Sequence, residues 1–437
     1  MIVKPGKALQ GAVTLPGDKS ISHRAILFAA LAAGESVIDN VLVSGVTEAM
    51  LRALTALGVA WRLEGTRLTV QGHGRSGLQA PAAPIDCGNS ATTIRLLVGA
   101  LAGAGVTAVL DGSPGLRRRP MLRVVEPLQQ MGVALTAVAG RAPLTLGASP
   151  YPLQALTYTL PVASAQVKSC LLLAALAAAG PTTLVEPGPS RDHTERMLRK
   201  MGARVEEGSG EERWVRLYPP AAELRPLQMT VPGDMSSAAF LMVAALITPG
   251  SLVTLRGVGL NPTRTGLLDA LRRMGADITI THETEMAGEP VGDVALRAGE
   301  LRGTEISGDL VVRMIDEFPA FAVAAALAEG QTVVRDALEL RHKESDRITV
   351  LCQELRAIGA DVTETADGFV IVGKPALPGG TINPHQDHRL AMALAVAGLC
   401  SVKGVVVQEA EIITESFPTF VPKLRELGAE IEQQFDR

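Results

Sequence analysis

The sequence predicts an α/β protein of two domains, each made of three repeats in which strands alternate with helices. Three observations predict it. An amphipathic, basic-rich stretch ends six times in an apolar residue, a glycine and a small residue: Leu57-Gly58-Val59, Met131-Gly132-Val133, Met201-Gly202-Ala203, Met274-Gly275-Ala276, Ile358-Gly359-Ala360 and Leu427-Gly428-Ala429. Between these marks lie Ala/Leu-rich runs closed by Gly34, Gly105, Gly180, Gly250, Gly330 and Gly404, each leading into a β-branched stretch. The period is roughly 70 to 84 residues, longer than the usual solenoid unit. Finally, Leu15-Pro16-Gly17-Asp18-Lys19-Ser20 recurs as Val231-Pro232-Gly233-Asp234-Met235-Ser236, about half the chain length later.

The elements of a repeat follow from periodicity. Leu122, Val125, Leu128 and Met131, like Leu267, Leu268, Leu271 and Met274, fall at helical spacing with polar residues between them, which predicts a half-buried helix stopped by the next glycine. Runs such as Cys170–Ala179 and Ala238–Ile247 are apolar on every side and predict helices buried all round. They are too short to span a bilayer, which takes ~20 residues. β-branched segments after both helices give a strand-helix-strand-helix-strand order, and hence sheets covered by helices. The Pro-Gly pairs place the hinges near residues 15–18 and 231–234. The expected domains are 18–232, and 1–17 with 233–437.

Composition narrows the setting. A hydrophobic content of 47% suffices for two cores, and a net charge of −4 argues against a general polyanion binder. Two Trp, three Tyr and eight Phe provide poorly for base stacking, so no nucleic-acid partner is expected. The start Met1-Ile2-Val3-Lys4-Pro5-Gly6 lacks a basic region followed by an apolar core, so a cytoplasmic, non-membrane protein is expected. Cys87, Cys170, Cys352 and Cys400 have no paired spacing and read as buried free thiols. His385 and His388 lack a third ligand pattern, so no metal is expected, and His73 and His282 read as surface residues.

Function shows where the repeats differ. At the starts of the buried helices stand costly polar groups: Lys19, Ser20, Ser22, His23 and Arg24; Asn89, Ser90 and Thr92; Ser164, Gln166 and Lys168; Asp234, Ser236 and Ser237; Asp316 and Glu317; Asp387, His388 and Arg389. Several are ordinary capping types, Asn89, Asp234, Ser236 and Ser237 among them. A helix start nevertheless offers unpaired N–H groups and the positive end of the peptide dipole, which attract phosphate or carboxylate. Parallel buried helices would open all these starts on one face of each domain, and two such faces across the hinges would form a cleft for small anions. Arg117, Arg118 and Arg119 precede Pro120, which fits a first helical position, and Arg191 stands likewise before the next such helix. Lys343 and Arg347, four apart, are expected on one helical face with Glu344 and Asp346 alongside. Cations at helix starts oppose the dipole, and an anionic ligand would reverse that sign.

Asp18-Lys19-Ser20-Ile21-Ser22-His23-Arg24, Gly88-Asn89-Ser90-Ala91-Thr92-Thr93-Ile94-Arg95, Lys343-Glu344-Ser345-Asp346-Arg347 and Asp387-His388-Arg389 resemble the signatures of the 5-enolpyruvylshikimate-3-phosphate synthase family. The segments Leu160–Ser169 and Ser190–Arg196 resemble its class II branch, and the resemblance spans essentially the whole chain. It implies the enolpyruvyl transferase fold, an inside-out α/β barrel of three βαβαββ-type units per domain, with no metal or cofactor. It also implies transfer of the enolpyruvyl group of phosphoenolpyruvate to the 5-hydroxyl of shikimate-3-phosphate, with release of phosphate. By the same resemblance Lys19 touches both substrates; Ser20, Arg24, Ser164, Gln166, Arg191, Asp316 and Lys343 serve shikimate-3-phosphate; and Ala91, Arg119, Gln166, Arg347 and Arg389 serve phosphoenolpyruvate. Asp316 and Glu344 match its acid/base pair. A monomer acting on small anions is expected.

Two departures stand out. Glu415 precedes Ser416-Phe417-Pro418 where many family members carry Lys, and Ala91 stands where glyphosate-sensitive members usually have Gly. The Ala91 methyl group is expected to crowd that inhibitor and confer partial tolerance. The related UDP-N-acetylglucosamine enolpyruvyl transferases resemble this chain in repeat and chemistry. They typically show Lys-Asn near the start and a reactive Cys in the second unit, whereas here Lys19 precedes Ser20 and residues Asp111–Met121 hold no Cys. A non-catalytic repeat scaffold would need no such variety at its helix starts.

Overall fold

The structure, a computed structural model, describes residues 1–210 and 212–433. Two compact units emerge. One comprises Gly17–Val231 with Met286–Glu289; the other comprises Met1–Pro16, Pro232–Glu285 and the chain from Pro290 onward. Each has its own apolar core.

The six glycine marks are helix stops of one kind. Gly58, Gly132, Gly202, Gly275, Gly359 and Gly428 all take positive φ, between 79° and 103°. The next residue sends its N–H back across the glycine: Val59 to Leu54, Val133 to Leu128, Ala203 to Leu198, Ala276 to Leu271, Ala360 to Leu355 and Ala429 to Leu424. This bond satisfies a carbonyl at the helix end, and the left-handed turn it requires is open to glycine without a Cβ penalty. Of the second set of glycines, Gly34, Gly105, Gly250, Gly330 and Gly404 also take positive φ, but Gly180 does not.

Each repeat contains one more strand than periodicity implied. Among the described residues there are six four-stranded sheets. In one of them Thr157–Thr159 runs parallel to Thr182–Glu186, which pairs antiparallel with Arg213–Tyr218, itself antiparallel to Arg204–Ser209. The helices Ala165–Ala175 and His193–Lys200 make the two crossovers, giving βαβαββ. The last two strands form a hairpin whose two short runs follow the second helix and merge into one strand-like stretch in the sequence. Strands also trade places along the chain. Gln228–Thr230 joins the sheet of Ala33–Asp39, Gln10–Thr14 pairs with Leu252–Gly259, and Ile2–Val3 lies between Val405–Val407 and Ile431–Glu432.

The apolar runs are the buried helices Lys19–Leu31, Ala91–Ala104 and Ala165–Ala175 in one unit, and Met235–Ile247, Phe318–Ala326 and His388–Gly398 in the other. In the first unit two of them are parallel and very close. A Cβ on Gly99 would lie 2.1 Å from the Cys170 carbonyl oxygen, and one on Gly103 2.8 Å from that of Leu173. Glycine at both places permits this backbone approach. Cys87, Cys170 and Cys352 are buried free thiols and Cys400 is half-buried. His73 and His282 lie at the surface.

Candidate active site

In the Gly17–Val231 unit the helix starts gather at one end. Asp18, Ser90 and Ser164 cap the three buried helices by accepting the N–H of Ile21, Thr93 and Val167. The capping residue of the second helix is therefore Ser90; Asn89 instead accepts a hydrogen bond from Ser113 Oγ at 2.9 Å. Gln166 accepts from Arg95 and donates to Thr92 Oγ1 at 2.8 Å, tying the second and third helices through their first turns. Ser90 Oγ lies 3.3 Å from His23 Nε2, tying the first helix to the second.

Around Ser20 lie two arginines. Arg191 donates to Ser20 Oγ at 3.2 Å, and Arg24 donates from Nη1 to the Ser20 carbonyl at 2.9 Å. Arg24 is 2% exposed, and also donates from Nε to Thr194 Oγ1 and from Nη2 to Ser169 Oγ, both at 2.8 Å. Burial, the largest influence, lowers its pKa to about 10, which leaves it charged at neutral pH. Lys19, Ser164 and Gln166 are half-buried, and Ala91, the first residue of its helix, is 6% exposed.

The arginine triplet differs from expectation. The helix after it is Leu122–Gln130, so Pro120 stands outside, and a short helix Pro114–Arg117 takes the place before it. Proline at the first position of that short helix is Pro114. Arg117 is exposed and paired with Asp111, Arg118 is exposed, and Arg119 is half-buried.

Beneath this end sits Lys168, essentially without solvent contact. Its Nζ lies 2.9 Å from Glu186 and 2.7 Å from Glu195. Burial alone would lower its pKa, but the two carboxylates outweigh it and raise the value. Ser190 donates to Glu186, so the same cluster fixes the turn that carries Arg191. Lys168 is identifiable in the sequence as a costly polar residue; its partners come from later elements and carry no spacing signal.

In the other unit the acid and base candidates share one arginine, Arg347. Asp316 Oδ1 lies 3.4 Å from both Lys343 Nζ and Arg347 Nη1, and Arg347 Nη2 lies 2.6 Å from Glu344 Oε2. Arg389 donates to the Asp316 carbonyl at 3.3 Å and its Nη2 lies 3.8 Å from Asp316 Oδ2. All five residues proposed from this unit thus form one cluster. The local geometry is not a shared helical face. Lys343 and Glu344 precede the helix Arg347–Ala357, which starts at Arg347 under the cap Asp346. Asp346 accepts from Arg341 instead, since a capping side chain turns to the first-turn N–H groups.

Arg347 is held by Asp387, whose Oδ2 lies 2.7 Å from its Nε. Burial would lower the arginine's pKa, but Asp387, Glu344 and Asp316 raise it above its ordinary value. Burial would raise the Asp387 carboxyl, but Arg347 holds it below the usual range. Asp387 also accepts the Arg389 N–H at 3.0 Å as cap of the His388–Gly398 helix.

One network escaped sequence reasoning. Arg264, 3% exposed, donates to Ser236 Oγ at 2.7 Å, and Ser236 donates to Glu317, the neighbour of Asp316. Arg264 lies outside every recurring mark, so only the folded chain joins it to Glu317. Among the described residues no group of three or more His, Cys, Asp or Glu could hold a metal, and His385 lies 3.2 Å from Glu354. No helix among them is long and apolar enough to cross a membrane.

Two units of βαβαββ repeats, with helix starts carrying cations in one and a carboxylate pair among cations in the other, define the enolpyruvyl transferase class. The fold is shared with the enolpyruvyl transferase NikO from Streptomyces tendae, at a TM-score of 0.79, 21% identity, and 98% and 97% coverage of the two chains. Residues 3–424 match the family model described as EPSP synthase (3-phosphoshikimate 1-carboxyvinyltransferase). The chain is 47% identical over 427 residues to the 3-phosphoshikimate 1-carboxyvinyltransferase of Geobacter metallireducens, covering 98% of this chain and 99% of that one. It is similar to the EPSP synthase structure from Acinetobacter baumannii, with a TM-score of 0.87, 42% identity and 99% coverage of both chains. The chain belongs to the EPSP synthase family.

Proposed function

We propose that this protein transfers the enolpyruvyl group of phosphoenolpyruvate to the 5-hydroxyl of shikimate-3-phosphate, releasing phosphate. The observation that carries the mechanism is the cluster in which Asp316 and Glu344 share Arg347, with Lys343 and Arg389 also against Asp316. Two carboxylates can move two protons, and the cations suit a substrate that brings phosphate and carboxylate groups.

Glu344 donates a proton to the terminal carbon of phosphoenolpyruvate. The adjacent carbon, now electron-poor, is attacked by the 5-oxygen of shikimate-3-phosphate, whose proton passes to Asp316. The resulting tetrahedral intermediate returns the methyl proton to Glu344 as the carbon–oxygen bond to phosphate breaks, leaving the enolpyruvyl ether. Lys19 stabilises charge on the hydroxyl oxygen and on the departing phosphate. Arg119, Arg347 and Arg389 hold phosphoenolpyruvate, because the planar guanidinium fork suits both of its anionic groups. Ala91 borders that substrate. Ser20, Arg24, Ser164, Gln166, Arg191 and Lys343 hold shikimate-3-phosphate, with Gln166 reaching both ligands. Arg24 keeps one N–H on each terminal nitrogen beyond the bonds it makes to Ser20 and Ser169.

A phosphate-release assay with phosphoenolpyruvate and each acceptor in turn tests this. Release with shikimate-3-phosphate and none with UDP-N-acetylglucosamine is expected. The reverse pattern, or no release with either, overturns it.

A further inference from the structure

We infer that Glu354 is a positioning residue for the phosphoenolpyruvate arginines, acting through a left-handed turn that delivers Asp387 to Arg347. The inference rests on the assignment of Arg347 and Arg389 proposed above.

Glu354 lies on the helix Arg347–Ala357, seven residues after Arg347, and its side chain is 6% exposed. No step of the reaction uses it. A buried carboxylate is costly unless hydrogen-bonded. Its partners come from the segment before Asp387: Oε2 accepts the Asn383 N–H at 2.9 Å, and Oε1 lies 3.2 Å from His385 Nε2. Asn383 Oδ1 in turn accepts the His385 N–H at 2.8 Å.

The held segment has an unfavourable backbone. His385 and Gln386 take φ of 51° and 61°, two successive non-glycine residues in the left-handed region. Such conformations persist only where surrounding bonds over-determine them. Gln386 donates to Glu409, and the Asp387 N–H donates to the Pro384 carbonyl at 3.0 Å. The turn ends at Asp387, wholly buried, whose carboxylate accepts from Arg347 Nε and Nη2, Ser345 Oγ and the Arg389 N–H. One helix therefore holds the turn twice, at its beginning through Glu354 and at its end through Arg347. Releasing the first hold lets the backbone relax toward ordinary angles, which moves Asp387 and misaims both arginines.

Steady-state kinetics of the full-length enzyme, varying each substrate separately, test this with Glu354→Leu, Glu354→Gln and His385→Leu. Glu354→Leu is expected to raise KM for phosphoenolpyruvate by about tenfold, the effect of an unmet buried N–H, with KM for shikimate-3-phosphate within about twofold. Glu354→Gln, whose amide oxygen still accepts the Asn383 N–H, is expected to stay within about threefold of the parent. His385 is a partly exposed side chain whose loss leaves the core intact, so His385→Leu reports even where Glu354→Leu fails to fold; a smaller rise confined to phosphoenolpyruvate is expected. Unchanged phosphoenolpyruvate KM in His385→Leu, or parallel rises in both KM values for either leucine variant, overturns the inference. Arg389→Lys separates the two layers of argument. If it leaves phosphoenolpyruvate KM unchanged, the substrate assignment falls and this inference with it; if it raises KM while the leucine variants do not, only the inference falls.

Discussion

Arg347 Nε sits 2.7 Å from Asp387 Oδ2, joining the first residue of one helix to the cap of another, and their side chains are 1% and 0% exposed. The carboxylate thus fixes an arginine that also touches Asp316 and Glu344. Removing one member of such a pair strands the other charge in a medium of low polarity. Asp387→Ala is expected to destabilise the protein by about 3–5 kcal/mol. Urea denaturation followed by circular dichroism checks it, and a midpoint equal to that of the parent contradicts it.

Glu344 as proton donor predicts a defect in chemistry rather than in binding. Glu344→Gln keeps the shape and the contact with Arg347 but cannot donate a proton to carbon. A fall in kcat of about 10²–10⁴ is expected, with phosphoenolpyruvate affinity largely kept. Single-turnover phosphate release measures the first quantity and equilibrium titration the second. Full turnover by this variant would falsify the donor assignment.

Lys168 stands between Glu186 and Glu195 with almost no exposure. Lys168→Met fills similar volume but leaves two carboxylates near each other without their cation. About 3–5 kcal/mol of stability should be lost, and Lys168→Met combined with Glu195→Gln should recover part of it. Equal stability of the single and double variants would show that the charges are not coupled.

Burial pushes the His23 imidazole down to about 4, against flanking carbonyls of Lys19 and Val46 that would favour its charged form. Below the ordinary value of 6.5 the unfolded chain takes up a proton that the buried ring does not. Stability is therefore full above pH 6.5 and falls between pH 6.5 and 4, by about 3 kcal/mol in all. His23→Asn should flatten this window. Denaturation midpoints at pH 7 and pH 4.5 for both proteins decide it, and identical acid sensitivity counts against the buried neutral ring.

Ala91 begins its helix with little exposure. If its methyl group limits the space beside phosphoenolpyruvate, Ala91→Gly lowers the glyphosate concentration needed for half-inhibition. Phosphate release across a glyphosate series tests this. Strong inhibition of the parent at micromolar concentration, unaltered by the substitution, removes the idea.

The parts of the fold visible in the sequence are those governed by local rules. The six glycine stops are legible because a left-handed helix end selects one residue type. The buried helices are legible because no polar residue interrupts their second halves. The terminal hairpin strand of each repeat was not, since strands such as Arg213–Tyr218 merge with neighbouring strand-like residues. In the site, Asp316, Lys343, Glu344, Arg347 and Arg389 could be named from motifs, but the pairing of Lys343 with Asp316 could not be read from helical spacing, because Lys343 lies before the helix. Arg264 and Glu354 were silent for a different reason. Each bonds to a segment dozens of residues away, and nothing local marks either end of such a bond.

The exchange of strands along the chain bears on how the protein is made. The Gly17–Val231 stretch brings all but its four-residue addition Met286–Glu289 from contiguous sequence, so it can form early on the ribosome. The opening strands Ile2–Val3 and Gln10–Thr14 have a different fate. Their hydrogen-bonding edges stay unmatched until Leu252–Gly259 and Val405–Val407 emerge, so these early strands belong to the last part able to fold.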